Sequence, residues 1–211
     1  MFGKTIVAPA SAPGRGGVSV IRMSGANAKA IAEDMCGGLA QSWKFRKCKI
    51  KSTDGLVLDS GLVVFFESPH SYTGEDVVEF HCHGNPTIVN LIVEDVIKRG
   101  AVIAEPGEFT KTAFLNNKID LAQAESVSDL INAQSKSAVI AANSSLSGNF
   151  SSSVDLIIRG LVSTRVMIEA HIDFPEEEID SDLLESISYE LSGFSKDIDR
   201  LLARSEEHTS E

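Results

Sequence analysis

Up to Ala104 the apolar residues fall in short runs of strand character separated by two helical stretches, and beyond Ile119 the apolar spacing is helical throughout. The most informative run is Val77-Val78-Glu79-Phe80-His81-Cys82-His83-Gly84, entered through a Thr73-Gly74 turn. Val77, Val78 and Phe80 favour a strand. Alternation puts Val78, Phe80 and Cys82 on one face and Val77, Glu79 and His81 on the other. The second face sets a carboxylate beside an imidazole, which a plain core strand does not require. Gly84 ends the strand, and Pro86 opens a helix over 86–99 with an apolar face of Ile88, Leu91, Ile92 and Val96, stopped by Gly100.

The flanking patterns extend this reading. Residues 5–8 and 18–23 read as strands joined through Pro9, Pro13 and the Gly14-Arg15-Gly16-Gly17 turn. A short helix over 26–35 carries Ala28, Ile31 and Met35 on one face. Residues 43–50 are basic, with Lys44, Arg46, Lys47 and Lys49 among Phe45 and Cys48, and read as an edge strand or loop. Residues 56–58 and 61–66 suggest a hairpin turning at Asp59-Ser60, and 101–104 a last strand. Strands mixed with helices predict an α+β domain over 1–118. From 119 three helices are expected: one broken by Gly148, one running to the Asp173-Phe174-Pro175 stop, and one starting near Asp182, where Asp182 and Glu185 have capping-box spacing. The last has a stripe of Leu184, Ile187, Leu191, Phe194, Ile198, Leu201 and Leu202. Such stripes need a partner surface, so partial disorder or aggregation is expected if these helices stand alone.

Composition narrows the function classes. With 211 residues and 43% hydrophobic content, one or two domains with a sizeable core are possible. A formal charge of −11 argues against a broad, non-specific grip on nucleic acid, while leaving room for a local basic patch. No apolar run is long enough to cross a bilayer and no secretory h-region opens the chain. Three irregularly spaced cysteines, Cys36, Cys48 and Cys82, do not form a disulfide framework and fit a reducing cytoplasm.

Candidate chemistry follows from residue type. Arg22, near the end of a mostly apolar strand, is either a surface arginine or a guanidinium forked onto a carboxylate. Glu79 is either a solvent-facing strand residue or a bidentate acceptor for an amino-pyrimidine edge. Lys118 either caps the segment before a helix or offers a point charge to an anionic tail. Gly14-Arg15-Gly16-Gly17 lacks the dinucleotide fingerprint and reads as a tight turn. His81-Cys82-His83 lacks the four ligands of a structural zinc site, and Cys82 reads as a buried thiol. There is no P-loop, serine triad or catalytic cysteine motif.

Together with Gly14-Arg15-Gly16-Gly17-Val18-Ser19-Val20-Ile21-Arg22, Glu105-Pro106-Gly107-Glu108-Phe109-Thr110, Ala113-Phe114-Leu115-Asn116 and Ile172-Asp173-Phe174-Pro175-Glu176-Glu177-Glu178-Ile179-Asp180, the Ser71–Gly84 stretch resembles the MnmE (TrmE) family of tRNA-modification GTPases. The resemblance implies a folate-binding and dimerisation domain over 1–118, related in fold to the glycine-cleavage T-protein, then the N-terminal part of an all-α helical domain over 119–203. It implies that Arg22, Glu79 and Lys118 bind 5-formyl- or methylene-tetrahydrofolate. It implies a cytoplasmic homodimer that acts with the flavoprotein MnmG on C5 of the tRNA wobble uridine. GTP, Mg2+ and K+ would belong to a G domain that these residues do not include, so GTP hydrolysis is not expected from them. Asn85 stands where the family has a second Gly; Asn tolerates positive φ, so the turn there is expected to survive. Two rivals are a free-standing aminomethyltransferase-like enzyme and a dimerisation scaffold with a vestigial folate pocket. Residues 204–211 break the last stripe and resemble a translated sequencing adapter, an idea that codons unlike the adapter would refute.

Overall fold

A computed structural model describes residues 3–173 and 181–206. It divides into two compact units, Met1–Ile119 and Asp120–Glu211. Among the described residues the first unit holds strands β1 (Ile6–Pro9), β2 (Gly16–Ser24), β3 (Arg46–Lys51), β4 (Val57–Phe66), β5 (Val77–Gly84) and β6 (Val102–Ile103), with helices α1 (Ala28–Cys36), α2 (Pro86–Lys98) and α3 (Glu108–Leu115). This is an α+β unit. The strands form one sheet in the order β3-β4-β5-β2-β1-β6, antiparallel except for the parallel β1–β6 pair.

Strand alternation gives the sheet two different faces. Val78, Phe80 and Cys82 of β5, Ile21 and Met23 of β2, and Val63 and Phe65 of β4 face a core closed by α1 and α2. Ile31 and Met35 of α1 and Ile92 and Val96 of α2 fill it. Burial of this apolar surface drives the layer together. Asp95 of α2 is buried at 3% exposure but fully bonded. It accepts from Thr53 N and Oγ1 at 2.9 Å and from Arg99 Nε at 2.8 Å, tying the helix to the β3–β4 turn. The opposite face carries Arg22, Glu79 and His81.

Three local expectations are corrected. Asp59-Ser60 is not a turn: β4 runs unbroken through it, and the hairpin closes instead at residues 52–56, where Ser52 N donates to Leu56 O at 2.8 Å. The Asp59 carboxylate is taken by β5, accepting from His83 N at 2.7 Å, which keeps the chain extended there. Asn85 has φ −121°, not a positive φ, and caps α2 by accepting from Thr87 N at 2.9 Å. The glycine that is required is Gly84, where a Cβ would collide with the Gly16 backbone across the β2–β5 pair. In the second unit the stretch before Gly148 is two helices, α4 (Leu121–Asn132) and α5 (Lys136–Leu146). Ala133 turns extended (φ −60°, ψ 126°), and the Ser135 hydroxyl starts a new helix by accepting from Ala138 N at 3.1 Å.

The second unit continues with α6 (Asn149–Asp173) and α7 (Ser181–Glu206). Phe194 lies over Gly160, and Thr164 Oγ1 donates to Glu190 Oε2 at 2.9 Å, so the two helices meet through a small residue and one cross-helix bond. The backbone of 204–206 continues α7, in keeping with the high helix propensity of Arg and Glu. The 174–178 motif, the Asp182 half of the capping box and residues 207–211 lie outside the described residues. No helix among those described is long and apolar enough to cross a membrane.

Candidate functional site

Antiparallel register sets Arg22 of β2 directly opposite Glu79 of β5. Glu79 Oε1 accepts from Arg22 Nε at 2.8 Å and pairs with Arg22 Nη2 at 2.7 Å. The other oxygen, Oε2, lies 3.3 Å from His81 Nε2, two residues along the same face. The Glu79 side chain keeps 14% exposure and that of Arg22 keeps 27%, so the pair reaches solvent at the sheet surface. The two strands thus lock a guanidinium, a carboxylate and an imidazole in one row, held by backbone register rather than by loop geometry.

Aromatic rings frame this row. The Arg22 guanidinium lies 5.2 Å from the Tyr72 ring centroid and 5.8 Å from that of Phe109. Phe45 meets His81 edge-on at 5.2 Å. Tyr72 belongs to the 68–76 loop, and its hydroxyl lies 2.8 Å from Thr110 Oγ1 on α3. The same loop is anchored beneath by Ser24 Oγ, 2.7 Å from Thr73 Oγ1 and donating to Glu75 Oε2 at 2.8 Å. Asn116 Nδ2 donates to Thr73 O at 2.7 Å.

Lys118 stands apart from the Arg22–Glu79 pair. Its Nζ donates to Pro69 O at 2.9 Å, so it is joined to the site through the 68–76 loop. Gly74, at φ 79°, lets the chain turn beneath the Lys118 stem; a Cβ there would press on Cγ and Cδ at 3.2 and 3.3 Å. Sequence reasoning singled out Arg22, Glu79 and Lys118 and noted His81. It did not give Tyr72 and Phe109 a role. They are far apart in the chain and share no periodic pattern, and only their place in two quoted motifs marked them.

The other histidine of the His81-Cys82-His83 run serves the end of β5, next to β4. His83 Nδ1 lies 2.8 Å from Asp59 Oδ1. Burial works to raise the Asp59 carboxyl, but the His83 and Ser60 bonds outweigh it and hold it below the usual carboxylate range. Cys82 points into the opposite, core-facing side, with burial, aided by Asp59, pushing its thiol up to about 11. No group of three or more His, Cys, Asp or Glu among the described residues is arranged to hold a metal ion. Exposed Lys47, Lys49 and Lys51 of β3 alternate with buried Cys48 and Ile50, giving the free edge of the sheet a cationic row.

Comparison with known proteins covers nearly the whole chain. A family model described as the GTP-binding protein TrmE N-terminus matches residues 5–118, and one described as the MnmE helical domain matches 121–210. A protein of Neisseria meningitidis serogroup B named tRNA modification GTPase MnmE is 45% identical over 203 residues, which is 96% of this chain and 45% of that protein. Proteins of the same name from Hydrogenovibrio crunogenus and Nitrosomonas eutropha are 49% and 47% identical over 176 residues, 83% of this chain and 39% of each relative. The chain therefore spans less than half the length of the curated relatives it matches.

Proposed function

Since this chain belongs to the MnmE (TrmE) family, we propose that its sheet unit is the one-carbon folate-binding module of a tRNA wobble-uridine (C5) modification GTPase, and that its helical unit is part of that enzyme's helical domain. The observation that carries the reading is the Glu79 carboxylate, fixed by Arg22 at a solvent-reaching surface framed by Tyr72, Phe109 and Phe45. A carboxylate with lone pairs beyond its Arg22 and His81 contacts suits the N–H edge of a flat heterocycle, and aromatic side chains suit its face. The residues present therefore fit a pterin. Glu79 would accept from the amino-pyrimidine edge, Arg22 would hold Glu79 in place, and Lys118, freed from Pro69 O, would pair with the glutamate tail. When bound, 5-formyl- or methylene-tetrahydrofolate would supply the one-carbon unit.

The rest of the assignment rests on family membership. It comprises a homodimer joined through the sheet unit, MnmG as partner, tRNA as substrate, a cytoplasmic setting, and a fold kinship with the glycine-cleavage T-protein. GTP, Mg2+ and K+ would be held by a G domain distinct from these two units, so these units alone should not hydrolyse GTP. The lysine row of β3 suits contacts to RNA phosphates despite the acidic whole.

The test is calorimetric titration with 5-formyl-tetrahydrofolate beside Glu79→Ala. Saturable binding that Glu79→Ala weakens at least about tenfold, equivalent to roughly 1.4 kcal/mol, is expected. Equal affinity in both proteins would overturn the site. Dimerisation without any folate binding would favour a scaffold, and aminomethyl transfer by this chain alone would favour a free-standing enzyme.

A further inference from the structure

Cys36 ends α1 and Cys48 lies on β3, on the sheet face that α1 covers. Their sulfur atoms are 3.0 Å apart, within hydrogen-bonding reach and about 1 Å from the length of an S–S bond. Both residues are enclosed, at 8% and 7% exposure. Arg46, on the same strand as Cys48, donates from Nη1 to Gly38 O and to Cys36 O, the latter at 3.5 Å, so a cation stands beside the pair. The third thiol, Cys82, is on β5 and donates to Ser19 O at 3.5 Å. The folate reading uses none of these groups.

We infer that Cys36 and Cys48 are a redox-modification site, closing a reversible intramolecular disulfide under a small oxidant of the peroxide class and pinning the end of α1 to the sheet's free edge. Loss of one proton leaves the other shared between the two sulfurs; with Cys36 as its donor, the hydrogen bond lowers the Cys48 thiol, with help from Arg46 and against burial, and, reinforced by burial, raises Cys36. Cys48 Sγ attacks one peroxide oxygen, the O–O bond breaks, and the departing hydroxide takes a proton to become water. Cys48 is then a sulfenic acid. Cys36 Sγ, losing its proton, attacks Cys48 Sγ and displaces the hydroxyl as a second water. Two electrons pass from two thiols to hydrogen peroxide, giving one disulfide and two waters. Cys82, whose thiol donates to Ser19 O and is pushed up to about 11 by burial, is the internal reference. Since β4 is the one strand that β3 pairs with among the described residues, the bridge would add a covalent anchor to the strand that carries the lysine row.

The full chain is exposed to hydrogen peroxide, alkylated with N-ethylmaleimide in denaturant, digested and read by mass spectrometry. The expected result is a Cys36–Cys48 linked peptide pair lacking two hydrogens, loss of two of the three alkylatable thiols, Cys82 still labelled, and full recovery with dithiothreitol. Cys36→Ser should leave Cys48 as a sulfenic acid trappable by dimedone. Three free thiols after oxidation, Cys82 oxidised as fast as the pair, or links formed only between chains would each overturn the inference. The experiment needs no folate, so its failure leaves the folate reading untouched.

Discussion

Phe80, Ile21, Met23 and Ile92 of the sheet unit are fully enclosed, whereas Leu156 and Ile172 of the helical unit stay 69% and 70% exposed. Apart from Ala142 and Ile157, the buried apolar residues among those described all lie in the sheet unit. The sheet unit closes its own core by laying α1 and α2 on one face, which leaves the other face free to hold charged groups in a fixed register. The helices α6 and α7 are amphipathic but present Ile158, Val162, Val166, Ile198 and Leu202 outward. Surfaces of that kind are stable when something covers them. Self-sufficient packing and a rigid polar face go together in this chain, and the candidate site is found where both occur.

Substitutions can break or sharpen this contrast. Phe80→Ala should cost about 4 kcal/mol in denaturant melts followed by far-UV circular dichroism, because an enclosed ring leaves a cavity. The same truncation at Leu156 should cost under about 0.5 kcal/mol; a large loss there would mean that α6 is already packed. Asp95→Ala should cost about 2 kcal/mol, since it removes the acceptor of both Thr53 donors and takes from Arg99 one of its two carboxylate partners, Asp34 remaining. Thr164→Val should cost about 1 kcal/mol, seen as faster amide exchange in α6 and α7 and unchanged exchange in β5.

The smallest expected effect is on acid stability. The Asp59 carboxyl is held low in the folded state, so its contribution is complete above the ordinary carboxylate range near about pH 4 and fades as pH falls through the lower folded value. Asp59→Asn should flatten the acid limb of a stability-against-pH curve; an unchanged limb would show that its bonds to His83 are not stabilising.

Much of the sheet unit was legible because its signals are local. Alternation through β5 separated Phe80 from Glu79, and the 86–99 stripe marked α2. The Asp59-Ser60 turn was misread because Asp is a turn former, and only the cross-strand His83 bonds show why the strand continues. The α4–α5 break was missed because Ala133-Gln134-Ser135 contains neither Gly nor Pro, and a serine cap is a weaker mark. Within the site, period-two patterning put Glu79 and His81 on one face. That Arg22 is the partner depends on β2–β5 register, and that Tyr72 and Phe109 flank Arg22 depends on chain segments brought together only by folding. The Cys36–Cys48 contact was hidden for the same reason, since their spacing fits no motif.

Hydrogen exchange of the whole chain with and without 5-formyl-tetrahydrofolate tests most directly the claim that the site belongs to the self-packed unit. Slow exchange is expected through β2, β4 and β5 in the free protein, faster exchange through α6 and α7, and ligand-induced protection confined to the ends of β2 and β5, the 68–76 loop and α3. Protection appearing in α6 and α7, or none in β5 and the 68–76 loop at saturating ligand, would contradict it.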